Sequence, residues 1–408
     1  MFRKKRDDIQ GSLSRMAWRR FLRNPVSLGS LVFISLSAIL AVLGYLITPD
    51  ATPFANHQQL ELATHKPGHK ATLLLVRKNE VPKKSHFFHK MIRGKVSEVN
   101  TIPIQRYWFE GPWLYYETYA GQPDYPGLED RIWLPDVLFP IQHDQHQGEP
   151  VNDSLSFISF SGEHLTLPIL EMQQQVEAEH IKNRRFILGT DRFGRDLLSQ
   201  LIIGTRVSLS VGFIAVFISL VIGITLGSLA GYFRGKLDDL VMWLINVIWS
   251  IPTLLLVIAI TFAIGKGFWQ VFLAVGLTMW VDVARVARGQ VLSLREKEFV
   301  EACRALGLGS TRIIVHHILP NIMGPVIVIS AANFASAILI EAGLSFLGIG
   351  VQPPMPSWGT MIREHYGYII LDKGYLAFMP GLLIMLMVLA FMLTGNGLRE
   401  ALDKTPRF

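Results

Sequence analysis

Cysteine occurs once in the 408 residues, at Cys303, so neither an intrachain disulfide nor a multi-cysteine metal site can be built here, and compartment cannot be read from redox chemistry. Charge is also scarce. Charged residues make up 17% of the chain against 50% hydrophobic residues, too apolar a balance for an ordinary soluble enzyme of this length. No GxxxxGK[ST] phosphate loop occurs, since the stretch from Gly231 to Lys236 has the wrong spacing, and GxSxG elbows and HExxH helices are missing too. Energy for any active process must therefore come from a partner. Internal repeats and low-complexity tracts are absent. What remains is a mean hydropathy of +0.33 and a net charge of +7. The basic residues sit mostly beside apolar runs, which fits orientation in a bilayer better than nucleic-acid binding.

A helix needs about 18 to 20 apolar residues to cross the hydrocarbon layer. Clear runs cover 24–49, 207–233, 240–265 and 374–398. Two further spans are expected: 267–281, short but extensible as a helix through Asp282 toward Gly289, and 313–340, which opens with His316 and His317. The expectation is six spans, the third interrupted by Pro252. The tail 1–23 carries Arg3, Lys4, Lys5, Arg6, Arg15, Arg19, Arg20 and Arg23 against Asp7 and Asp8, which places it in the cytoplasm. Alternation then puts Arg234, Lys236, the basic stretch 285–312 and the tail 399–408 (Arg399, Lys404, Arg407) on the same side. Only Lys266, Arg363 and Lys373 fall in the short outer loops. Both termini are expected in the cytoplasm, and the first run reads as an anchor rather than a cleaved signal.

Residues 50–185 are hydrophilic and long enough for a small outer domain. The runs 72–77, 105–110, 113–119 and 156–160 are expected strands, and 167–181 an expected helix with Gln and Glu on its wet side. Trp108, Trp113, Tyr115 and Tyr116 are expected in its core. His65/His69 and His143/His146 have spacings that a helical zinc site uses, but Pro67 and Gly68 interrupt the first and the second reads as a loop. Solvated histidines and no metal site are expected. Ser154, Ser156, Ser159 and Ser161 lack a recognisable base and orienter, which counts against a membrane-anchored enzyme.

Three segments carry the functional signal. In 295–320, REKEFVEACRALG consists of good helix formers, with Phe299, Cys303 and Leu306 sharing a face, Gly307 as a left-handed stop and Ser310 or Thr311 as the next cap. By pattern alone this is an amphipathic connector. In LGTDRFGRDLLSQLIIGTRVSL (188–209), Thr190 or Asp191 caps an expected helix from about Gly194, with Asp196 near its positive end and Arg206 at the membrane surface. In EAGLSFLGIGVQPPMPSWG (341–359), Gly348 and Gly350 permit a turn and Pro353, Pro354 and Pro356 preclude a continuous helix, so a structured outer loop is expected. Asp282 suits either a proton relay or a local pair with Arg285 near the inner surface. Glu341, at an outer helix end, suits gating or interfacial solvation.

Together these segments resemble the dipeptide and oligopeptide permeases of binding-protein-dependent ABC importers, C-type subunit. Glu301, Ala302, Arg304, Gly307, Leu319 and Pro320 fit the EAA loop, with Cys303 standing for a second Ala and His317 for an Ile. Gly189, Thr190, Asp191, Gly194, Arg195, Asp196, Gly204 and Arg206 fit GTDxxGRDxxS…GxRxSL, with Gln200 for the usual Arg. Glu341, Pro353, Pro354, Trp358 and Gly359 fit EAxLSFLGxGxxPPxPSWG. The resemblance covers 186–408 strongly and 1–48 weakly.

The resemblance implies an all-α membrane protein of six transmembrane helices, with the type I ABC importer permease fold and an extracytoplasmic α+β insert between helices 1 and 2. The domains would be a cytoplasmic tail 1–23, a first helix 24–49, the insert 50–185, a permease core 186–398 and a tail 399–408. It further implies a non-catalytic subunit of the bacterial inner membrane that binds no cofactor itself, ATP and Mg being used by the partner ATPase. Its partners would be a homologous permease chain or a second copy, ABC ATPase subunits coupled through Glu301 to Pro320, an outer solute-binding protein and membrane lipid, without nucleic acid. Peptides are the implied cargo, with nickel complexes or other small solutes the alternative inside the family. A proton-coupled transporter is the alternative outside it.

Overall fold

The structure, a computed structural model, describes residues 15–80, 86–122, 125–141, 150–265 and 267–402. The cluster Arg3–Arg6 with Asp7 and Asp8, the pair His143/His146, Lys266, Lys404 and Arg407 lie outside the described residues. The described residues fall into two compact units, one made of 15–41, 204–366 and 377–402 and the other of 42–203 and 367–376.

Helix α1 (Pro25–Ile47) starts at Asn24, whose Oδ1 accepts from the backbone N–H of Val26 at 3.1 Å and of Ser27 at 3.3 Å. After it, β1 (His69–Arg77), α2 (Phe87–Arg93), β2 (Val99–Glu110), β3 (Trp113–Thr118), β4 (Glu129–Trp133), α3 (Leu134–Leu138), β5 (Ser154–Ile158), β6 (His164–Pro168), α4 (Ile169–Gln175) and β7 (Ile181–Phe186) follow. Strands β4-β3-β2-β1-β7 form an antiparallel sheet, and β5-β6 a separate hairpin. One face of the sheet is covered by α3, α4 and the hairpin around Leu74, Leu114, Trp133, Leu155 and Met172, all 5% exposed or less. Alternation along β3 turns Leu114 and Tyr116 into this core. Trp113 packs at its edge, whereas Trp108 and Tyr115 stack on each other at 5.6 Å outside it. Two of the four expected core aromatics are therefore elsewhere, because a residue next to a buried one on a strand faces the other way.

The expected helix 167–181 is shorter. Pro168 ends β6, α4 runs only to Gln175, and a π turn at Val176–His180 leads into β7.

From Leu197 onward the chain is largely helical: α5 (Leu197–Phe233), α6 (Gly235–Trp249), α7 (Thr253–Ile264), α8 (Phe268–Arg295), α9 (Glu298–Ala305), α10 (Ser310–Phe346), α11 (Trp358–His365) and α12 (Tyr375–Leu402). Among the described residues, α1, α5, α8, α10 and α12 are long and apolar enough to cross a membrane, and α6 with α7 makes up to six crossings if the bent pair is one span. The run 240–265, expected to be interrupted at Pro252, is two helices meeting at 95°. Pro252 lacks an N–H and biases Ile251 away from helical geometry, so the break falls there.

Helices α5 and α8 approach through glycine. Gly223, Gly227 and Gly231 form a stripe at four-residue spacing, and a Cβ on Gly223 would lie 2.7 Å from the carbonyl oxygen of Trp280, one on Gly231 2.8 Å from that of Arg288. Gly227 faces Ala284 more closely still. Small residues at this period let two helix backbones touch where lipid supplies no hydrophobic drive. Helix α1 packs on α12, where Ser30 Oγ and Thr394 Oγ1 share a hydrogen bond of 3.0 Å.

Candidate functional site

The segment between α8 and α10 is a short lever with a defined stop. Helix α9 is closed by two hydrogen bonds, from the Gly307 N–H to the Arg304 carbonyl at 2.9 Å and from the Leu308 N–H to the Cys303 carbonyl at 3.1 Å. That pair is a Schellman closure, and Gly307 supplies the φ of +75° it needs. The next helix starts at Ser310 itself, capped by Gly309 without a side-chain bond, so neither Ser310 nor Thr311 is the cap.

The helix faces differ from the expected ones. At about 100° per residue, Val300 and Cys303 lie about 60° apart and define the buried side. They pack with Tyr232, Ala287, Val291, Ile313, Ile314 and Ile318, and Leu319 joins the edge of that cluster. Phe299 is 40% and Leu306 80% exposed. With Ala302, also exposed, they form an outward apolar stripe at i, i+3 and i+7; Glu301 is exposed beyond Ala302, and Arg304 is exposed on the side of Val300. The Arg304 guanidinium also lies 5.3 Å from the Tyr232 ring. Pro320 is exposed near the start of the α-helical part of α10.

The segment 189–196 is a buried loop, and the helix begins at Leu197, three residues later than expected. Asp191 organises it: Oδ1 accepts from the N–H of Phe193 at 2.8 Å and of Arg195 at 2.9 Å, and Oδ2 accepts from Arg195 Nε at 2.6 Å. Asp196, rather than Thr190 or Asp191, caps α5, accepting from the Ser199 N–H at 2.9 Å. Thr190 Oγ1 accepts from the His65 N–H at 2.9 Å and donates to the Leu62 carbonyl. Arg195 reaches Asn56, and Gln200 donates to the Phe54 carbonyl at 3.0 Å. Gly189 and Gly194 lie against the backbones of His65 and Gln59 with no room for a Cβ. Arg206 is half-buried.

The turn 65–69 that receives this loop is not a solvated surface. The His65 and His69 rings stack 3.9 Å apart at 6°, and both Nε2 atoms are buried without a hydrogen-bond partner among the described residues. Metal ions bind in the plane of each imidazole, so parallel rings at this spacing cannot both aim at one ion. Burial pushes His65 down to about 4, with repulsion from His69 and Lys373 adding to it, and burial lowers His69 as well. An unfolded chain takes up these protons near pH 6.5 and the folded one does not. The stability they contribute is therefore full above about pH 6.5 and is lost as pH falls toward about 4. Hydrogen exchange over residues 62–75, corrected for intrinsic rates, is expected to speed up from about pH 7 to about pH 5. His65→Gln with His69→Gln should flatten that dependence, and unchanged dependence would rule the stack out as its source.

The third segment closes a cluster inside the helical unit. Glu341 lies within α10, 0% exposed, and not at a helix end. It accepts from Ser345 Oγ at 2.7 Å and Ser208 Oγ at 3.3 Å, with Ser357 a third hydroxyl partner. Interfacial solvation is therefore excluded, and the carboxyl group ties α5, α10 and the start of α11 together. Ser357 and Thr360 form a capping box that starts α11 inside the expected loop. Trp358 is 1% exposed and lies against Gly204, so the segments 188–209 and 341–359 meet, while Gly359 presses on Ala342. Pro353 and Pro354 are exposed in the connecting loop. Asp282 and Arg285 meet at Trp249, which hydrogen-bonds the first and lies 3.4 Å beneath the guanidinium of the second.

The comparisons with known proteins agree with the signatures. Residues 223–407 match the family of binding-protein-dependent transport system inner membrane components, and 12–67 match the N-terminal TM domain of oligopeptide transport permease C. The second match continues through the segment that holds Asn56, Leu62 and His65. The chain is 42% identical over 215 residues to the dipeptide transport system permease protein DppC of Alkalihalophilus pseudofirmus, covering 53% of this chain and 70% of the relative. It is 44% identical over 219 residues to the di/tripeptide transport system permease protein DppC of Pseudomonas aeruginosa, covering 54% and 72%. A solved MetNI methionine ABC transporter in an inward-facing conformation aligns at 20% identity with a TM-score of 0.42, over 51% of this chain and 98% of that one. That match is too loose to carry an argument. With signatures, fold and relatives in agreement, the chain belongs to the binding-protein-dependent transport system inner membrane components, as a multi-pass, non-catalytic permease subunit of an ABC importer.

Proposed function

We propose that this subunit forms half of the path by which an ATP-driven importer moves small peptides, from dipeptides to short oligopeptides or glutathione, into the cell. The observation that carries the coupling part is the exposed face of α9, where Phe299, Glu301, Ala302 and Leu306 project from a helix whose opposite side is fixed by Val300 and Cys303 and whose end is fixed by the Gly307 stop. A rigid short helix with an apolar stripe and an acidic group suits insertion into a cleft of a separate ATPase. Ala302, Arg304, Leu319 and Pro320 complete that segment. ATP and Mg belong to the partner.

In this reading the chain crosses six times with both termini in the cytoplasm, the bent α6–α7 pair being one crossing, and residues between α1 and α5 lie outside. The basic residues flanking α1, α6, α8 and α12 support that orientation. A homologous permease, two ATPase subunits and an outer solute-binding protein complete the machine. The cargo assignment rests on relatives that transport dipeptides, tripeptides, oligopeptides and glutathione by name. Proteoliposomes holding the assembled complex and its binding protein are expected to accumulate a labelled dipeptide or tripeptide with ATP and not without it. Accumulation of a nickel chelate with indifference to peptides would overturn the cargo assignment while leaving the family standing.

A further inference from the structure

Helix α2, FFHKMIR, turns apolar side chains outward. At about 100° per residue, Phe87, Met91, Phe88 and Ile92 fall within an arc of about 140°, and His86, His89, Lys90 and Arg93 fill the opposite side. No residue of the helix is buried. Phe87 is 60%, Phe88 71%, Ile92 52% and the following Val96 64% exposed. The two phenylalanine rings pack edge to face at 5.8 Å, so they project as one apolar unit. A helix of 7 residues has too few hydrogen bonds to persist in water by propensity alone, so its apolar face needs a surface.

Its position says which surface. The Lys95 N–H donates to the Ala51 carbonyl at 2.8 Å. A Cβ on Gly94, which closes α2 with φ +78°, would lie 2.6 Å from that same oxygen and 3.1 Å from Pro53 N. The end of α2 is therefore pressed backbone to backbone onto the chain four residues beyond the last residue of α1, Ile47. An extended chain covers at most about 3.6 Å per residue, so this clamp lies within about 15 Å of the end of a membrane span. Leu46 and Ile47 at that end are themselves 43% and 51% exposed.

We propose that α2 is an interfacial anchor, laying Phe87, Phe88, Ile92 and Val96 into the bilayer surface beside α1 while Lys90 and Arg93 face the lipid phosphates. The occupant is a phospholipid surface. The apolar arc extends from a clamp close to the end of α1, where Leu46 and Ile47 are exposed as well, and the opposite arc carries cations that suit headgroup phosphates. The inference depends on α1 being a span and not on what the importer carries.

The test uses the full complex in nanodiscs, with Cys303→Ser and single spin-labelled cysteines at Phe88, Val96 and His89. Oxygen is expected to reach the labels at 88 and 96 several-fold better than a water-soluble nickel chelate does, with the preference reversed at 89. Free access of the chelate to 88 would overturn the proposal. So would exclusion of the chelate that develops only after a solute-binding protein is added, because the face would then belong to that protein. Phe87→Ser with Phe88→Ser should move a label at Ile92 into water while α1 and the other spans keep the subunit in the membrane. A label at 92 that stays in lipid would show that the phenylalanines are not the anchor.

Discussion

Gly307→Val is expected to abolish solute-stimulated ATP hydrolysis and uptake by the assembled importer, at normal levels of membrane-inserted protein. Gly307 holds φ +75° in the closure of α9, and a Cβ there would meet nothing within 4 Å. The damage would therefore be conformational and not steric. A left-handed L-residue costs roughly 1–2 kcal/mol, and a β-branched one adds real strain. The cheapest relief is to unwind the stop, which would release the bonds to Arg304 and Cys303 and let the exposed stripe of Phe299, Ala302 and Leu306 swing away from the ATPase. Gly307→Asn should keep much of the activity, since asparagine tolerates this region. Gly309→Ala, two residues on, should be nearly silent, because Gly309 has φ −65° and also open space. Glu301→Lys is expected to give a comparable loss by another route. It puts a cation at the positive end of α9 and reverses the charge offered to the partner. The ATPase should then co-purify poorly, which Gly307→Val need not cause. Normal uptake in both variants would remove the coupling role assigned to α9.

How much of this could be read from residues alone differs from element to element. The strands with β-branched and aromatic runs, such as 72–77 and 105–110, are visible because pattern and propensity agree there. β4, β6 and β7 carry EDRIW, HLTLP and IKNRRF, whose polar residues hide a pairing that long-range partners decide. Pro252 marks a break in the third run, but the 95° between its halves depends on packing. On α9 the spacing puts Phe299, Cys303 and Leu306 on one face, but Val300 shifts the buried side away from Phe299 and Leu306. Glu341 read as a helix-end carboxylate because the chain was expected to leave the helix sooner; α10 continues to Phe346 and encloses it. The loop 189–196 reads as a helix start, although its glycines, Thr190 and Arg195 are occupied by residues more than a hundred positions earlier. No local pattern can report that. The His65/His69 stack was hidden for the same reason, as HKPGH reads as an open turn until the loop with Thr190 covers it. The glycine stripe of α5 is the opposite case: GITLGSLAGYF carries glycine at every fourth position of an apolar run, a local signal that the expectations above left unused.

That stripe carries the second large effect. Gly227→Leu is expected to prevent assembly of the permease altogether, seen as loss of the ATPase-bound complex on size exclusion and rapid proteolysis of the membrane protein. Overpacking a core usually costs about 1–3 kcal/mol because side chains shift to make room. At Gly227 the opposing atoms are the backbone carbonyl and Cα of Ala284, and at Gly223 and Gly231 they include the carbonyls of Trp280 and Arg288. Backbone inside a helix cannot step aside, so α5 and α8 would have to separate along the whole stripe and lose contact at three successive turns. Helix α8 is also the element that packs under α9 through Ala287 and Val291, so the displacement would reach the coupling segment as well. Gly227→Ala should show a graded version of the defect, with less complex and a lower melting temperature. Gly289, on α8 itself, has open space where a Cβ would go. Gly289→Ala should therefore be neutral or stabilise by about 0.5–1 kcal/mol through helix propensity. Equal tolerance of Gly227→Leu and Gly289→Ala would show that α5 and α8 do not meet along this stripe.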